Sequence, residues 1–139
     1  MDEKGFLGEV ARRLHCDERR AESLTFAVFQ ELHARLTPKE VRDVGAQLPT
    51  GLKRLWLGDD RPSRRVERTH REEFVGRVRQ WAALPDDDEA ERGVRAVFGA
   101  LQHCLGSPTG REGEAWHIFS QLPKDLKQLW LDAGAQRGE

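Results

Sequence analysis

The chain has 139 residues and a formal charge of −1, from 23 Lys and Arg against 24 Asp and Glu. That length suits one ordinary domain, or two small halves sharing one core. Balanced, interspersed charge argues against a dedicated nucleic-acid or membrane-surface protein, and apolar residues at periodic positions argue against disorder.

The first predicted helix runs from about Glu3 to Leu14, with Phe6, Leu7, Val10 and Leu14 on one stripe. Asp17 is a plausible N-cap for the second helix, which carries Ala21, Leu24, Val28, Leu32 and Leu36. Phe26 and Phe29 widen its apolar face, as suits a central helix. Thr37-Pro38-Lys39-Glu40 has the form of a capping box with Pro at the first helical position. It opens a third helix through Val41 and Val44. Pro49 then makes a corner. Proline favours the first turn of a helix and pushes the residue before it out of the α region, so a short fourth helix follows, ending near Leu57.

Gly58 to Arg68 holds no periodic apolar pattern and reads as a linker. Thr69-His70-Arg71-Glu72 has the form of a second capping box, opening a fifth helix with the stripe Phe74, Val75, Val78, Trp81 and Ala82. Pro85 and the acidic run Asp86 to Glu89 mark the start of the sixth, where carboxylates suit the positive end of the helix dipole. Its stripe is Ala90, Val94, Val97, Phe98, Leu101 and Leu105. Gly106 to Gly110 is a loop, and Thr109-Gly110-Arg111-Glu112 could be a third capping box. A seventh helix carries Ala115, Trp116, Ile118 and Phe119. The eighth begins after Pro123.

Two stretches of this series repeat one phrase. Gln47-Leu48-Pro49-Thr50-Gly51-Leu52-Lys53-Arg54-Leu55-Trp56-Leu57 returns as residues 121–131, differing only at Lys124, Asp125 and Gln128. Phe6 and Val10 return as Phe74 and Val78, 68 residues on. Ala21, Val28, Leu32 and Leu36 return as Ala90, Val97, Leu101 and Leu105, 69 residues on. The fold expected is all-α: eight helices as two tandem four-helix repeats packed into one pseudo-twofold bundle. The first repeat spans residues 1–58, the linker 59–69, the second repeat 70–134, and a frayed tail 135–139. In each corner, Gln47 or Gln121 is expected to reach the unpaired N–H groups after Pro49 or Pro123, because Leu is a poor cap. Trp56 and Trp130 extend apolar stripes and are expected in the core. Positions 50, 51, 124 and 125 are expected to face solvent.

The ordered series Phe6, Val10, Ala21, Val28, Leu32, Arg35, Leu36, Ala46, Gln47, Leu48 and Pro49, said again as Phe74, Val78, Ala90, Val97, Leu101, Leu105, Gln121, Leu122 and Pro123, resembles the bacterial family called domain of unknown function 2267. The second half departs from the pattern with Cys104 in place of an Arg, Ser120 before Gln121, and a longer loop. The resemblance implies a duplicated all-helical fold and carries no catalytic residue across.

Chemistry-bearing motifs are sparse. His15, His33, His70, His103 and His117 show neither HExxH nor HxxxH spacing and are expected at surfaces or interfaces. Consecutive acids at 86–89 do not converge on a cation as alternating oxygen ligands do. No phosphate-binding glycine loop and no GxSxG elbow occurs. No enzyme activity, cofactor or metal is therefore expected. The residues Met1 to Lys4 lack the regions of a signal peptide, and no apolar run approaches transmembrane length, so a cytoplasmic location is expected. Cys16 and Cys104 are then expected as free thiols.

The expected function is a protein–protein interaction or regulatory module presenting helical surfaces to a protein partner. The alternative is nucleic-acid binding through the stretch 61–79, where Arg61, Arg64, Arg65, Arg68, Arg71, Arg77 and Arg79 oppose Glu67, Glu72 and Glu73, a local charge of 7 − 3 = +4. No aromatic residue interleaves before Phe74. A helix-turn-helix reading of the third and fourth helices offers only Thr50, Lys53 and Arg54 for bases.

Overall fold

Asp2 starts the first helix: its carboxylate accepts the Gly5 N–H at 2.7 Å. The helix α1 (Glu3–Leu14) ends in a left-handed residue, His15, at φ 54°, and the Cys16 N–H returns to the Ala11 carbonyl. Asp17 caps α2 (Glu18–Arg35) through the Arg20 N–H at 2.8 Å. Thr37 and Glu40 close a full capping box on α3 (Pro38–Ala46). The Pro49 corner leads into α4 (Thr50–Leu57). They are followed by α5 (Arg71–Trp81), α6 (Asp87–Leu105), α7, of which residues 118–120 are described, and α8 (Lys124–Ala135). This is a computed structural model, and it describes residues 2–57, 70–105 and 118–135. The protein is all-α, with eight helices and no strand among the described residues. The linker 59–69, the capping residue Thr69, the loop 106–110, the box at Thr109, Ala115, Trp116 and residues 136–139 lie outside them.

One core joins everything. Helix α2 packs on α1, α4, α5 and α6, and α6 packs on α1, α2, α5 and α8. Ridges pack where small residues permit it: a Cβ on Gly93 of α6 would meet Leu24 Cδ2 of α2 at 2.8 Å. Each stretch carries an aromatic trio. Phe6, Phe29 and Trp56 stack with ring centroids 6.0 and 5.0 Å apart. Phe74, Phe98 and Trp130 do so at 5.9 and 4.9 Å. All six are buried, and such aromatic pairs add stabilisation beyond area burial. The buried Trp56 indole donates to the Val41 carbonyl at 2.7 Å, which satisfies its polar edge.

Polar groups tie the chain's two ends together. Arg35 donates to the Gln121 carbonyl at 2.6 Å, so this family-pattern arginine anchors the distant Pro123 corner. His103 Nδ1 lies 2.7 Å from the buried Glu9 carboxylate, and Arg77 lies 3.5 Å from the buried Glu31. Gln102 donates to the Trp130 carbonyl at 2.9 Å.

Four expectations change. The Gln47 and Gln121 side chains are exposed and form no hydrogen bond to the following helix among the described residues. The N-cap of α5 is His70, one residue later than the expected box, and it makes no side-chain cap bond. Asp125 of α8 supplies the acceptor instead, taking the Arg71 N–H at 3.1 Å. Asp125 is therefore half-buried rather than facing solvent. At the matching Gly51, the Glu3 side chain occupies the space a Cβ would take. Finally, His33 is not at a surface: it is buried edge-on to Trp56, with centroids 4.5 Å apart.

Candidate interaction surface

Trp81 sits on the same stripe as Phe74 and Val78, yet it is 60% exposed. The backbone explains this. The α5 helix stops at Trp81, Ala83 takes a left-handed φ of 53°, and the turn delivers Ala82 and Leu84 into the core in its place. The Trp81 ring is left outside, edge-on to Phe26 of α2 at 6.4 Å. Phe26 is half-buried and, with Glu3, Glu22, Gly51, Arg54 and Leu55, lines a cleft of about 270 Å³. An exposed indole beside a groove of mixed apolar and charged lining is the composition of a protein-contact patch, where Trp and Arg are enriched. Leu131 on α8 is also exposed, at 52%.

The arginines of the basic stretch fall into two groups. Arg61, Arg64, Arg65 and Arg68 lie outside the described residues. Arg71, Arg77 and Arg79 are each beside a carboxylate, on Glu91, Glu31 and Asp87. Their charge is partly neutralised within the fold, which leaves less for phosphates. Thr50, Lys53 and Arg54 are exposed on α4. The corner residues take different places: Pro49 and Pro123 are half-buried, while Trp56 and Trp130 are in the core.

Cys16 and Cys104 are free and half-buried. Burial raises the pKa of both, with Asp17 adding to it at Cys16 and Glu9 at Cys104. A raised pKa keeps the thiol protonated and unreactive. Among the described residues no group of three or more His, Cys, Asp or Glu is placed to hold a metal ion. No described helix is long and apolar enough to cross a membrane.

Trp81 was legible as an aromatic and was misplaced by its periodicity. The signal that marks it is the Ala82-Ala83-Leu84-Pro85 sequence after it, which ends the helix too early to cover the ring. The search of curated proteins finds no match to the chain. The profile of one family, described as "Uncharacterized conserved protein (DUF2267)", matches residues 3–129. That span takes in α1 through the first half of α8, and the chain belongs to the DUF2267 family.

Proposed function

We propose that the protein is a non-enzymatic interaction module, built as two tandem helical repeats about a pseudo-twofold axis, that docks a protein partner on the face around Trp81. The duplicated organisation is supported by packing: α1 on α2 matches α5 on α6, α2 on α4 matches α6 on α8, and α1 on α6 matches α5 on α2. The left-handed residues His15 and Ala83 also stand 68 positions apart, the offset of the sequence repeat.

The exposed Trp81 ring, set against the half-buried Phe26, carries the functional reading. A Trp held largely in water gives up favourable burial, and a partner that covers it recovers that term at a preorganised site. The expected partner presents an apolar side chain to Trp81 and polar groups to Glu22 and Arg54 at the rim. The test compares affinity capture by the wild-type chain and by Trp81→Ala from the cells that make the protein. A specific partner retained by wild type and lost by the variant supports the reading. Equal capture by both, or turnover of a metabolite with no protein bound, sinks it.

A further inference from the structure

We propose that the groove between the C-terminal half of α1 and the middle of α6 is a binding site for a small phosphate-type oxyanion, held by Arg13, Arg92 and Arg95. These residues, with Leu14 and Ala96, line a cleft of about 250 Å³. Arg92 and Arg95 stand one turn apart on α6, so their side chains share a face. Arg13 reaches over from α1. Gly99 makes this possible, because a Cβ there would overlap the Arg13 guanidinium.

Internal pairing leaves donors over. Arg13 commits Nε and one terminal nitrogen to Glu9 Oε2, each at 3.1 Å. Arg95 stands 3.7 Å from Glu91, too far for a hydrogen bond. The other Glu91 oxygen accepts from Arg71. Arg95 Nε is buried and donates to nothing among the described residues, a rare state for a buried N–H. Arg92 is exposed and forms no ion pair among them. Arg13, Arg71 and Arg95 thus share two carboxylates and Arg92 has neither, while the guanidinium-bearing side chains of Arg13, Arg92 and Arg95 line one cleft. Guanidinium forks match the oxygens of a phosphate in pairs.

Helix packing alone does not call for this cluster. The repeat offset of 68 takes Arg13 to Trp81, and the offset of 69 takes Ser23 and Phe26 to Arg92 and Arg95. At the corresponding positions of the α5–α2 groove stand Trp81, Ser23 and Phe26, none of them charged, and those helices pack as well. The two grooves are thereby assigned different ligands: a protein side chain at one, an anion at the other. The volume is below the roughly 300–1,000 Å³ of sites for drug-sized ligands, so the occupant is a phosphate group on a short stem rather than a whole nucleotide.

The test is an NMR titration of the ¹⁵N-labelled full chain with sodium phosphate and, separately, with glycerol 3-phosphate, at ionic strength held constant with sodium chloride. Saturable shifts in residues 11–14 and 91–99 are expected. The double variant Arg92→Gln, Arg95→Gln should bind at least about tenfold more weakly, the loss of a charged hydrogen bond. Arg19→Gln, an exposed arginine at a different cleft, should titrate like wild type. Should the double variant fail to fold, the single exposed change Arg92→Gln gives the same comparison. Saturation by phosphate assigns the site to the free anion, and saturation by the ester alone assigns it to a phosphorylated small molecule; both support the proposal. No saturation with either probe, or equal weakening in Arg19→Gln, overturns it.

Discussion

Three tryptophans in similar apolar stripes meet two different environments. Trp56 and Trp130 are buried against Phe29 and Phe98, at 0% and 2% exposure. Truncating either to Ala should cost on the order of 3–5 kcal/mol, as for other buried large aromatics, measured by urea unfolding. Trp81→Ala should cost less than about 1 kcal/mol, because the ring contributes one edge contact from solvent. A midpoint for Trp81→Ala as low as that of Trp56→Ala would show the ring to be structural. The thiols give a second residue-scale expectation. Both pKa values are raised, so at pH 8 each holds less thiolate than an ordinary cysteine. Alkylation at Cys16 and Cys104 should be slower than that of free cysteine at pH 8 and should accelerate as pH rises further. Rates at pH 8 equal to free cysteine would contradict the shielding.

At the scale of elements, caps were legible where they are local. Asp17 and Thr37–Glu40 act within three residues of their own helix, and sequence spacing finds such contacts. The α5 cap was not legible, because its acceptor is Asp125, 54 residues away. The same cause misled the reading of the corners. Repetition singled out Gln47 and Gln121, which are exposed, while the difference between Gly51 and Asp125 marks the working positions. Asp125→Ala should therefore lower stability by about 1 kcal/mol, the value of a lost cap, while Gln47→Ala and Gln121→Ala should stay within about 0.5 kcal/mol of wild type. Thermal unfolding of the three variants separates the two accounts: a cost confined to the glutamines would return the capping role to them.

Over the whole molecule, the helix order and the core were readable from period and punctuation, since Phe6, Val10, Leu32, Phe74, Val97 and Leu101 are all buried as their spacing requires. Side-chain pairing across the chain was not readable, because Glu9 with His103 and Arg35 with Gln121 share no local pattern. Those contacts, and the packing of α2 against α5 and α6, join the first four helices to the later ones. A half of about 60 residues is marginal alone. A fragment of residues 1–57 should lack cooperative unfolding by circular dichroism and regain helicity when a fragment of residues 70–139 is added. A cooperative melt of the first fragment by itself would make the halves independent domains.

The most direct test of the interaction surface places the photo-crosslinker p-benzoylphenylalanine at position 81, at position 22 in the cleft lined by Phe26, or at Lys39, which is exposed on α3. Irradiation in the cells that make the protein should give one adduct of defined mass from positions 81 and 22 and none from position 39. Adducts at position 39 alone, or the same adducts from all three, would contradict a partner docked on the Trp81 face.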